Sequence, residues 1–184
     1  MIKIGLTGDI GSGKSFIARE FRFPVFNADK EVKIIYKKNR NCFKKLKKKF
    51  PKYIYSFPIN KKEISKLILS NNNSLKIIER IVHPIVRIGM NKFLKNNKNK
   101  KFVILDIPLL IENKINNKKD VIIFIEAKKK DILKNIKKRS NYNINIFKKL
   151  KKLQLPLELK KKKSNYIIKN NFKNISAKKS VKLL

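Results

Sequence analysis

The stretch Met1-Ile-Lys-Ile-Gly-Leu-Thr-Gly-Asp-Ile-Gly-Ser-Gly-Lys-Ser15 decides the fold. Ile2, Ile4 and Leu6 alternate as a short apolar strand, a glycine-rich loop follows, and a helix can begin at Ser15. Gly8, Gly13, Lys14 and Ser15 satisfy G-x-x-x-x-G-K-[ST], the phosphate-binding loop. Glycines let the backbone turn tightly and aim several N–H groups at one anion, and the following helix presents its positive end to the same place. Gly8, Asp9, Ile10, Gly11, Ser12, Gly13, Lys14 and Ser15 are therefore the candidate cradle for the phosphates of ATP. Lys14 would reach the β and γ phosphates, and the Ser15 hydroxyl would ligate Mg²⁺. A glycine turn with an incidental lysine is the competing reading. It fares poorly, because the chain has only 5 glycines and four of them lie in the first thirteen positions.

Outward from the loop, Ser15 to Arg22 reads as a short helix with Phe16, Ile17 and Phe21 on one face. Phe23 to Asn27 reads as a second strand, and Asp29 can cap the helix that follows, through Lys38. Residues 40 to 100 hold no convincing buried strand. Ile64, Leu67 and Ile68 mark one amphipathic helix there, and Leu75, Ile78, Ile81 and Val82 mark another. Pro84 is expected to break or restart the pattern, with Ile85, Ile88 and Phe93 on a new helix. Phe102 to Asp106 and Val121 to Glu126 are continuous apolar runs, as buried parallel strands require. Helices are expected from Asp131 to Arg139 and around Ile144, Phe147, Leu150 and Leu153. Tyr166 to Ile168 is a last short strand, before a weakly patterned helix from Ser176 to Leu183. The alternation predicts an α/β fold, a parallel sheet flanked by helices as in P-loop nucleoside-triphosphate hydrolases. Ligands of such sheets bind at the carboxyl edge of the strands, where the loop, Asp29 and Asp106 are expected to converge.

At 184 residues and 42% hydrophobic content the chain suits one soluble domain. No apolar run approaches a membrane span, and the chain opens on a strand, so neither membrane insertion nor a signal peptide is expected. The single cysteine, Cys42, fits a cytoplasmic setting and reads as a small helix residue without a role. The formal net charge of +37 comes from 49 basic against 12 acidic residues. Binding to nucleic acid is one reading of that charge. The excess, however, is nearly all lysine, is spread along the chain with abundant Asn and Ile, and lacks an aromatic-interleaved basic patch. Compositional drift is the favoured reading, and a monomer without a nucleic-acid partner is expected.

A phosphate loop on a chain of this length suits a small-molecule kinase, and a carboxylate near the acceptor hydroxyl is often part of such a site. Asp29 and Asp106 are the candidates among only five aspartates. Further pieces occur in order: Ala28-Asp29, Ile81-Val-His-Pro84, Asp106-Ile-Pro-Leu-Leu110 with Glu112, Arg139, Gln154 with Leu157-Glu158, and Asn165-Tyr-Ile-Ile-Lys-Asn170. With the loop, this set resembles the dephospho-CoA kinase family almost from end to end. The resemblance implies transfer of the ATP γ-phosphate to the ribose 3′-hydroxyl of dephospho-CoA, the last step of coenzyme A synthesis. It implies a core at about 1–30, 101–130 and 164–184, a helical CoA-binding insertion at about 31–100, and a lid at about 131–163.

The resemblance also implies roles. Asp29 would orient the acceptor hydroxyl or accept its proton, with the helix cap as the alternative. His83, Asp106 and Leu109 would line the acceptor site, and Asp106 would also hold Mg²⁺ through water. Arg139 would swing over the phosphates from the lid. Departures from the family pattern are Asp9 where glycine is frequent, a shortened first helix, and no glycine before the second strand. Asn135 stands for a further lid arginine, and Ser140 and Asn165 stand for common aspartates. A nucleoside or nucleotide kinase and a nucleic-acid-binding ATPase remain the alternatives.

Overall fold

The computed structural model describes residues 1–70, 73–138 and 142–182. Five strands form one sheet: β1 (Ile2–Gly8), β2 (Val25–Asn27), β3 (Phe102–Asp106), β4 (Val121–Glu126) and β5 (Tyr166–Lys169). Their order is β2-β3-β1-β4-β5, and every pairing is parallel. Parallel neighbours need crossovers, which is why helices separate the strands in sequence. The register aligns Gly8 with Ile125, Asn27 with Asp106 and Glu126 with Lys169. All five carboxyl ends therefore open on one edge of the sheet.

The chain divides into two compact units, residues 28–96 forming one and residues 1–27 with those from 97 onward the other. The sheet unit carries α1 (Lys14–Glu20), α6 (Lys129–Lys137), α7 (Ile144–Lys152), α8 (Leu157–Lys162) and α9 (Asn174–Lys182). Its core joins Ile4, Leu6, Ile104, Ile123, Ile125 and Ile168 of the strands to Ile17, Ala18 and Phe21 of α1 and Ala177 of α9. Strand side chains alternate between faces, so buried residues in unbroken runs require cover on both. Phe23 and Pro24 precede β2 rather than joining it. Phe23 stacks on Phe102 with ring centroids 5.1 Å apart.

The second unit is wholly helical among its described residues: α2 (Ala28–Lys38), α3 (Arg40–Lys49), α4 (Lys61–Ser70) and α5 (Ser74–Asn96). Its core gathers Ile35, Cys42, Leu46, Phe50, Ile54, Ile64, Leu67, Ile78 and Val82. Buried Glu63 satisfies the turn before α4, accepting from the Tyr55 and Ser56 N–H groups and from the Ser56 hydroxyl. Pro84 corrects the expectation of a break, because α5 runs through it for 23 residues. Proline lacks an N–H and crowds the preceding turn, so the helix persists only where packing holds both sides. Ile78 and Val82 are buried before it, and Ile85 and Val86 pack on the same cluster after it.

Candidate active site

The loop between β1 and α1 has the backbone that its glycines predict. Gly11 and Gly13 have φ of 83° and 89°, in the left-handed region. A Cβ at Gly13 would collide with the Asn170 amide, and one at Gly8 would lie 2.5 Å from the Ile125 carbonyl oxygen. The loop is thus held against the ends of β4 and β5. Asn170 donates to the Ser12 carbonyl at 2.8 Å, and its own N–H bonds the Glu126 carbonyl at 2.7 Å. Helix α1 starts at Lys14, directly after Gly13, and directs its positive end into the loop. Lys14 curls over its own loop, donating to the Asp9 carbonyl at 2.8 Å and the Gly8 carbonyl at 3.3 Å. A narrow glycine-lined turn at a helix N-terminus, with a lysine over it, fits a chain of phosphates.

A second set of oxygens meets the loop at the same edge. Asn27, the last residue of β2, donates to Asp106 Oδ2 at 2.5 Å and lies 3.5 Å from Ser15 Oγ. Asp106 is 4% exposed, so its carboxylate depends on such partners. Hydroxyl and carboxylate oxygens suit a hard divalent cation such as Mg²⁺. Asn27 bridges two residues that sequence reasoning had named without linking them. Its own signal was only that it ends a strand beside Ala28-Asp29.

Asp9, the departure within the loop, is 8% exposed. Its Oδ1 accepts the Ile10 N–H at 2.7 Å, and Oδ2 pairs with Lys151 Nζ of α7 at 2.8 Å. The Gln154 amide, in the orientation that satisfies its neighbours, donates to Asp9 Oδ1 and accepts from Lys160 Nζ, both at 3.2 Å. Lys160 is fully buried and pairs with Glu112 at 2.6 Å while lying 3.4 Å from the Gly8 carbonyl. Glu112 also accepts the Leu155 N–H at 3.2 Å. Residues of α7, α8 and the turn after β3 thereby brace the loop. Lys160 escaped sequence reasoning because it stands in a run of four lysines that reads as a solvated face.

Leu109 lies in the turn after β3, half-buried and in left-handed backbone at φ 56°. A cleft of about 560 Å³ opens beside Asn170, lined also by Glu126, Lys128, Asp131 and Lys169. In the helical unit, Asp29 is exposed and lies within the first turn of α2, which begins at Ala28. That corrects the cap reading, because a capping residue precedes the helix it caps. His83 is half-buried on α5 and lines a shallow hollow of about 330 Å³ with Lys76, Glu79, Arg80, Pro84 and Arg87. Arg139 lies outside the described residues. Gly8–Ser15 and Asp106 are brought together by direct contacts within the sheet unit, whereas Asp29 and His83 belong to the other. Among the described residues no group of three or more His, Cys, Asp or Glu could hold a metal, so metal binding here would rest on the loop hydroxyl and Asp106. No described helix is long and apolar enough to cross a membrane.

The family model described as CoaE, dephospho-CoA kinase, matches residues 2–175. The chain is 36% identical over 172 residues to the dephospho-CoA kinase of Wolbachia sp. subsp. Brugia malayi (strain TRS), covering 90% of this chain and 87% of that one. It is 32% identical over 180 residues to the dephospho-CoA kinase of Zymomonas mobilis subsp. mobilis, covering 96% and 91%. Among solved structures, TT1252 from Thermus thermophilus superposes with a TM-score of 0.80 at 26% identity, over 99% of this chain and 94% of that one. The dephospho-CoA kinase from Campylobacter jejuni superposes at 0.65 with 24% identity, over 98% and 94%, a likeness of fold.

Proposed function

The chain belongs to the dephospho-CoA kinase family and is an ATP-dependent kinase, and from that premise we propose how its own residues divide the work. The reaction is transfer of the ATP γ-phosphate to the ribose 3′-hydroxyl of dephospho-CoA. One observation carries the reading: the Gly8–Ser15 loop and Asp106 share one sheet edge, linked through Asn27. Backbone N–H groups of the loop bind the phosphates, and Lys14 leaves its carbonyl partners to reach them. Ser15 directly and Asp106 through water would hold Mg²⁺, which would supply positive charge to offset the phosphate oxygens. The nucleoside end of ATP is assigned to the cleft beside Asn170, whose side-chain amide donates to the Ser12 carbonyl of the loop.

For the acceptor, Asp29 orients the 3′-hydroxyl or takes its proton, and His83 and Leu109 help to bind it. Arg139 offsets charge on the transferring phosphoryl group; its assignment rests on the family pattern. The helical stretch at about 31–100 serves the acceptor, the stretch at about 131–163 serves as lid, and the enzyme works as a cytoplasmic monomer. The nucleoside- or nucleotide-kinase alternative is not favoured by the family match. The test is ADP release from Mg·ATP with and without dephospho-CoA, with mass spectrometry of the product. Gain of one phosphate at the ribose 3′ position is expected. ATP binding without acceptor-dependent turnover would overturn the acceptor assignment and leave the phosphate site standing.

A further inference from the structure

A carboxylate inside a loop built to collect phosphates opposes its purpose, because like charges a few ångströms apart repel strongly where water is scarce. Asp9 puts one there, and it is nearly buried. Its bonds to the Ile10 N–H and the Gln154 amide satisfy lone pairs but bring no net charge. The net positive charge comes from Lys151, whose Nζ lies 2.8 Å from Oδ2 across 142 residues of sequence. Lys151 is itself placed, its ammonium lying 6.0 Å from the centroid of the Phe147 ring one turn earlier in α7. Asp9 and Lys151 thus form a charge-neutral unit at the rim of an anion site.

We propose that Lys151 is a positioning and neutralising residue for ATP binding: it cancels the Asp9 charge inside the phosphate loop, and the pair sets the affinity for Mg·ATP. The proposal rests on the reading of Gly8–Ser15 as the phosphate site. Paired with Lys151, the Asp9 carboxylate presents little net charge to the phosphates and anchors α7 beside them. Without Lys151 its carboxylate loses that ion-pair partner beside a polyanionic ligand. The sign of the effect is therefore conditional: losing Lys151 harms binding only while Asp9 keeps its charge. A purely structural role for the lysine would not show that condition.

The experiment is a double-mutant cycle read by calorimetric titration with Mg·ATP, together with steady-state kinetics. Lys151→Met should weaken Mg·ATP about tenfold, equal to about 1.4 kcal/mol. It should raise KM for ATP without moving KM for dephospho-CoA. Lys151→Arg should retain affinity. Asp9→Asn with Lys151→Met should recover most of the loss, although it removes one more interaction from the contact. Asp9→Asn alone should tighten Mg·ATP a few-fold, which keeps the proposal exposed even if Lys151→Met folds poorly. Native-like binding by Lys151→Met, further loss in the double variant, or weaker binding by Asp9→Asn would each overturn it. Failure of the native chain to bind Mg·ATP would instead overturn the phosphate-site reading on which it rests.

Discussion

Asp29 sits at a helix end and is also the base proposed for the acceptor hydroxyl. Its place in the first turn of α2 lets its charge meet the positive end of that helix, worth about 0.3–1 kcal/mol. The proposed chemical role would be larger, since a positioned base contributes about 10²–10⁴-fold. Asp29→Asn should therefore lower kcat by about 100-fold or more while ATP affinity and the urea midpoint change little. Wild-type turnover in this variant would reduce Asp29 to its helix-end role. Cys42 makes a second prediction at this scale. Burial raises its thiol pKa to about 11, against the opposing pull of Lys45. The folded thiol therefore stays protonated through pH 8, and its contribution to stability is present below the unfolded value and lost as pH rises through about 11. A thiol reagent at pH 8 should modify the native chain far more slowly than the urea-unfolded chain. Equal rates would contradict the buried placement.

At the scale of elements, what could be read in advance depended on how many apolar side chains each element buries. The buried strands β3 and β4 stood out as unbroken apolar runs. Helices α3 and α8 did not, because their sequences, RNCFKKLKKK and LELKKK, are half lysine and bury few residues. Pro84 predicts an interruption of α5 because proline breaks most helices, yet contacts on both sides of it outweigh the local penalty. Pro84→Ala should restore the missing backbone hydrogen bond and raise stability by up to about 3 kcal/mol, measured as a higher urea midpoint. A lower midpoint would show that the proline ring is itself a packing element of that helix.

For the molecule as a whole, the net charge of +37 is the dominant bulk property. It favours encounter with polyanions of every kind, ATP among them, and such attraction weakens with salt. Long-range attraction is not a binding site, however, and turnover depends on the geometry around the loop. Poly(A) RNA should therefore not raise the rate of ADP release, and any inhibition by it should vanish at high ionic strength. Stimulation would favour the nucleic-acid-dependent ATPase instead.

The phosphate loop, the buried strands and the parallel α/β class were determined by the sequence alone. Each rests on local physics: glycines where φ is positive, apolar runs where both faces are covered, and a lysine and serine at fixed spacing. Only the tertiary structure decided the pairings across distance. Asn27 reaches Asp106 across 79 residues, Asn170 holds Ser12 across 158, and Lys151 meets Asp9 across 142. Lys160, one of four consecutive lysines, is the one taken inside to pair with Glu112. In a chain with 49 basic residues, periodicity cannot single out the lysines that meet a carboxylate. That choice is made when the sheet brings remote strand ends to one edge and burial makes each unpaired charge costly.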